Sequence, residues 1–184
     1  METGENFICG KNTKFDKTVI VGHNAIIGSN VILGKNVIVG DNCIIKDDCI
    51  VGEKTKIEHF VLLKKGTVIG ENCYIDSYVK SSGQNKIGNN VTLRFNSTIA
   101  REVTIEDDVF ISPNVMTIYS DHKGVKQGGT LIKKGSHIGT NVVINQAVII
   151  GENVSVGAMS FVKDNCESNS IYIGIPAKLK RLKH

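Results

Sequence analysis

Nowhere in the 184 residues is there an apolar run approaching the ~18 that would cross a bilayer as a helix. The opening METGENFICG carries neither the basic flank nor the apolar core of an export signal, so a cytoplasmic protein with no membrane span is the expectation. Charge of one sign is lacking too. The 22 basic and 18 acidic side chains leave a formal +4, dispersed along the chain, which excludes the dense basic stripe of a nucleic-acid binder and leaves acidic small molecules open. No CxxC pair occurs among Cys9, Cys43, Cys49, Cys73 and Cys166, so no metal is expected and the thiols read as small apolar side chains. No shift of composition marks a second domain.

What the chain does hold is a beat of six. Set out from Gly4, it reads GENFIC GKNTKF DKTVIV GHNAII GSNVIL and onward to Thr117. The sixth place is apolar in 17 of 19 hexads and the fourth is Val, Ala, Cys, Ser or Thr in 17 of 19, so both places face inward. A helix is excluded because a period of six does not track 3.6, and because nine first-place glycines would each cost about 1 kcal/mol in a helix interior. The pattern predicts a parallel β-helix in which each hexad is a short strand and a corner. Places four and six share one face of the strand, and Gly, Asn and Asp at places one to three supply the turn. Three hexads close a triangular coil, so residues eighteen apart stack.

The beat fails once and weakens once. Residues 118–126 fit no hexad, after which QGGTLI KKGSHI GTNVVI NQAVII GENVSV GAMSFV resumes it to Val162. Together the blocks make 19 + 6 = 25 hexads, or about eight coils over 1–162, with 118–126 as a projecting loop. In DSYVKSSGQNKI, Ser81 stands at place six and Asn85 at place four, which predicts a local bulge or mouth. Residues 163–184 form a tail expected to return along the helix or cap its end.

These residues resemble the left-handed hexapeptide-repeat acyltransferases over nearly the whole chain. Hexads alone indicate only the fold, since γ-class carbonic anhydrases share them. Zinc there would need three convergent imidazoles, which His23 and His59, two coils apart, do not offer. Three stretches are more telling: VTIEDDVFISPNV (103–115), GGTLIKKGSHIGTNVVI (128–144) and SIYIGIPAKLKR (170–181) resemble sugar acetyltransferases that use acetyl-CoA. The resemblance is strongest to enzymes that N-acetylate nucleotide-linked (dTDP or UDP) deoxy amino sugars for surface polysaccharides. Sugar O-acetyltransferases come next, and a non-catalytic trimeric scaffold is the reading from a different class.

The resemblance implies a homotrimer with active sites between neighbouring prisms, and it gives the irregular loop a task. His122, the loop's single histidine, is expected to be the general base, and Asn96 matches an Asn that lies near the acceptor amine in the family. Asp121 and Arg94 are assigned to the acceptor. The loop reads YSDHKG where relatives often carry an Asn-Asp pair, which leaves N- against O-acetylation open. Gly139, Gly157 and Ala158 match small residues along the pantetheine arm of CoA. Pro176 in GIPAK matches the residue near the adenine, and Lys178 and Arg181 are expected to meet the phosphates. His137, an outward fifth-place residue after the loop, is expected to line the same groove.

Overall fold

In a computed structural model, residues 1–121, 123–125 and 129–183 are described, and they form a left-handed parallel β-helix with no α-helix among them. Its 26 two-residue strands fall into three flat faces. The first face begins with Glu2–Thr3 and Ile20–Val21, the second with Ile8–Cys9 and Ile26–Ile27, and the third with Lys14–Phe15 and Ile32–Leu33. The strand Glu2–Thr3 precedes the first hexad, so the prism has nearly nine coils rather than about eight.

The hexad rule is borne out from Val19 to Val162, while in the first coil place-six Cys9 stays exposed. Place-six residues such as Ile27, Leu33, Ile45 and Ile57 are at most 1% exposed, and place-four Val19, Val31, Cys43 and Cys49 are fully buried. Each such aliphatic side chain contributes roughly 1.5 to 3 kcal/mol by leaving water. Place three carries the left-handed backbone: Asn24, Asn30, Asn36 and Asn42 have φ between 55° and 58°. That conformation costs most L-residues about 1 to 2 kcal/mol and Asn less. Many of these asparagines also stack, as Asn6 Nδ2 donates to Asn24 Oδ1 at 3.0 Å one coil on.

Register dates the interruption. Thr92 pairs with Phe110, eighteen residues on, whereas Phe110 pairs with His137, twenty-seven on, so nine residues are extra. They lie between Met116–Thr117 of the second face and Leu131–Ile132 of the third, on the edge where those two faces meet. We call this the second edge, and the junction of the first and second faces the first edge.

The tail extends the first face beyond the last coil. Ser170–Gly174 pairs parallel with Ser155–Val156 and so adds a strand to the first face, then turns at Ile175 and the cis Pro176 into the antiparallel strand Ala177–Leu182.

Candidate active site

The loop is built from its own carboxylate. Asp121 Oδ1 accepts from the backbone N–H groups of Lys123 (2.9 Å) and Val125 (2.8 Å), and Gly124 N donates back to Asp121 O at 3.0 Å. One oxygen of Asp121 is thus spent on shaping the loop tip. Among the described residues, contacts from the coils below and above tie the loop to the prism. The Tyr119 hydroxyl donates to Glu102 Oε1 at 3.2 Å on the coil below. From the coil above, the Gln146 amide nitrogen donates to the carbonyls of Tyr119 (3.0 Å) and Val125 (3.2 Å). Gln146 is only 6% exposed, so these bonds hold a buried amide as well as the loop. Sequence reading missed it; a Gln at place two of the fourth hexad after the loop was the available signal. His122 lies outside the described residues.

Asn96 stands on the first edge, not the second. It occupies place three with φ of 57°, and its Nδ2 donates to Asn114 Oδ1 at 3.1 Å in the corner ladder. Arg94 begins the same corner, with Nε 3.2 Å from Asp76 Oδ2 and its guanidinium carbon 5.9 Å from the centre of the Tyr74 ring. Below Asn96 on this edge the corner aromatics Phe60 and Tyr78 stack at 5.0 Å, and Phe95 meets Tyr78 edge-on at 5.5 Å. Asn96 precedes the strand Thr98–Ile99, whose partner Met116 opens the strand that runs into the loop. The two therefore sit at opposite ends of one face, separated by roughly four residues of extended chain, or about 13 Å.

The expected cofactor residues gather at the upper end of the first edge. Gly139 and Gly157 owe their identity to stacking: a Cβ at Gly139 would lie 2.6 Å from Ala158 N, and one at Gly157 would lie 2.6 Å from Ile173 Cγ2. Ala158 and Pro176 are exposed there, beside Met159 at 62% and Ile175 at 75%. Lys178 pairs with Ile173 near this edge, whereas Arg181 pairs with Ile171 at the far end of the strand. His137 does not join the loop. It lies on the first face, stacked on Phe110 at 4.8 Å, because its hexad starts one corner further round.

The weak hexad is not a bulge. Lys80–Ser81 keeps register with Leu62–Leu63 and with Thr98–Ile99. Instead, a hollow of about 650 Å³ opens on the outside of the second edge, directly below the loop, lined by Lys46, Lys64, Lys65, Gly83, Gln84 and Arg101 among others. Of its two neighbouring acids, Asp47 accepts from Ser29 N at 2.8 Å. The Asp48 carboxyl is held below its usual range by the Asn30 amide first and the Lys65 ammonium, 3.2 Å away, second. Among the described residues no group of three or more His, Cys, Asp or Glu gathers as a metal site would require.

Comparison with known proteins accounts for this architecture. Residues 9–129 match the model of the GMPPB C-terminal domain, and residues 129–164 that of the bacterial transferase hexapeptide (six repeats). Galactoside O-acetyltransferase of Escherichia coli K12 is 36% identical over 113 residues, covering 55% of this chain and 56% of that protein. The dTDP-4-amino-4,6-dideoxy-D-glucose acyltransferase of Escherichia coli is 32% identical over 92 residues, 48% of each. The chain thus matches about half the length of these curated relatives. LpxA from Acinetobacter baumannii shares the fold at 18% identity, with a TM-score of 0.87 over 99% of this chain and 74% of that one. The chain belongs to the family of the GMPPB C-terminal domain and, with it, to the hexapeptide-repeat transferases.

Proposed function

We propose that this protein transfers an acetyl group from acetyl-CoA to the amino group of a nucleotide-linked deoxy amino sugar, dTDP- or UDP-bound, in surface polysaccharide synthesis in the cytoplasm. The observation that carries this reading is the division of the site. The polar loop projects from the second edge, while Asn96 and the exposed small and apolar residues that suit a pantetheine arm lie on the first. One chain holds both halves but does not join them, and a homotrimer in which the loop of one prism meets the first edge of the next would. The resemblance to a dTDP-amino sugar acyltransferase supports the acceptor class.

In this reading the acceptor amine attacks the thioester carbonyl. A C–N bond forms, the C–S bond breaks, and the amine proton passes to His122 and from there to the departing thiolate. Asn96 orients the amine, and Asp121 faces it with the carboxylate oxygen not used to cap Lys123 and Val125. Arg94 bounds the acceptor end. For CoA, the accessible residues are Ala158, Pro176, Lys178 and Arg181, with Gly139 and Gly157 setting the close stacking beneath them. Galactoside O-acetyltransferase at 36% identity favours a second reading, transfer to a sugar hydroxyl, in which His122 is indispensable because a hydroxyl attacks poorly without a base.

The test is product mass spectrometry after incubation with acetyl-CoA and a panel of nucleotide-linked amino sugars and plain sugars. His122→Ala and Asn96→Ala are each expected to lower turnover at least about a hundredfold. Mixing and reassembling the two inactive variants should restore part of it, since some interfaces then pair an intact loop with an intact first edge. Turnover untouched by either substitution would discard the site.

A further inference from the structure

We propose that the hollow on the second edge binds a phosphoanhydride, the diphosphate bridge of the nucleotide-linked acceptor. The hollow exists because one corner is turned inside out. In several other corners the place-two N–H points along the edge to the next coil's side chain, as Ser29 N does to Asp47 and Asn89 N to Asp107. At Gly83 that N–H instead points into the prism, donating to Ser81 Oγ and Asn85 Oδ1, each at 3.2 Å. Gly83 is buried, its φ is +99°, and a Cβ would lie 2.8 Å from Lys65 O. No side chain therefore fills place two of this corner, between Ser82 and Gln84.

Cations surround the gap. Lys65 stands one coil below Gly83 and Arg101 one coil above, so their levels are about 10 Å apart. Lys64 and Lys46 add two ammonium groups on adjacent coils. Lys46, Lys64 and Arg101 make no ion pair among the described residues, whereas Lys65 is paired with Asp48 at 3.2 Å and Asp47, also on the lining, accepts from Ser29 N. Unpaired cations around a recess lined partly by the Ile44 and Leu62 side chains suit two linked phosphates beside an apolar ring. Arg101 adjoins Glu102, which holds Tyr119, so a ligand seated here reaches upward to the loop. CoA also carries a phosphoanhydride, but its expected residues lie on another edge. For the sugar it gives the ligand, the inference rests on the acetyltransferase reading.

Calorimetry on the full chain, with no acetyl donor, separates the two. UDP, dTDP and CoA are titrated into the wild type, the double variant Lys64→Gln/Lys65→Gln and Arg101→Gln. All three substituted side chains are exposed, and thermal melts will show that the variants fold. The wild type should bind UDP or dTDP, and both variants should bind it at least about tenfold more weakly, with CoA affinity unchanged. The proposal is overturned if neither nucleotide binds, if the variants bind as the wild type does, or if CoA affinity falls in step. Nucleotide binding that survives in a protein without acetyl transfer would sink the enzymatic reading alone.

Discussion

The hydroxyls of Thr67 and Ser81 lie 2.6 Å apart inside the prism, in a layer that hexads elsewhere fill with aliphatic side chains. Ser81 Oγ also donates to Asn85 Oδ1 at 2.5 Å, and Asn85 Nδ2 donates to Ala100 O at 2.5 Å. Asn85→Ala strips partners from four buried groups and should lower stability by about 1 to 3 kcal/mol in urea titration. Ser81→Ile, which restores the repeat's own rule, should also destabilise, because it overfills the layer and takes from Thr67, Gly83 and Asn85 the hydroxyl they share. A consensus residue that stabilised the protein would show that the network is ornamental.

Ser97 offers the opposite case. It is fully buried at place four, and its Oγ finds no hydrogen-bond partner among the described residues. Ser97→Ala removes an unsatisfied hydroxyl and should raise the denaturation midpoint, by up to about 1 kcal/mol in stability. A lower midpoint would mean that the hydroxyl is paired in solution.

Two of the loop's supports, Gln146 and Asp121, are separable. Gln146→Ala removes the amide that holds Tyr119 and Val125, so limited proteolysis at the loop should accelerate and turnover should fall, with little change in the melting of the prism. Asp121→Asn keeps the oxygen that caps Lys123 and Val125 but removes the charge. It should leave proteolysis unchanged and weaken the acceptor, read as a raised KM. Wild-type KM in that variant would confine Asp121 to loop architecture.

The thiols give a pH prediction. Burial, assisted by the charge of Asp41, pushes Cys43 above its ordinary 9.0 to about 11, and burial with Asp164 pushes Cys166 to about 12. Cys49 and Cys73 are raised as well, again by burial. The folded chain keeps these protons where the unfolded chain releases them. Stability is therefore complete below about pH 9 and is lost as pH rises through 11 and 12. At pH 8 a thiol reagent should titrate the exposed Cys9 alone in the native protein and all five cysteines after denaturation. Prompt native reaction of a second thiol would contradict the packing of that layer.

Much of this molecule was legible as text. Strand alternation and corner chemistry act over six residues, so hexads such as GSNVIL specify strand, inward face and left-handed turn without reference to anything distant, and the nine surplus residues stand out against them. The edge assignments of Asn96 and the loop were latent in the same eighteen-residue count. What the tertiary structure alone decided is where polar groups point. Whether Gly83 N–H looks out or in, which backbone groups one Asp121 oxygen caps, and what a Cβ at Gly139 would meet depend on atoms brought together by stacking. A six-residue pattern carries no record of those distances, because neighbouring coils are eighteen residues apart along the chain and almost touching in space.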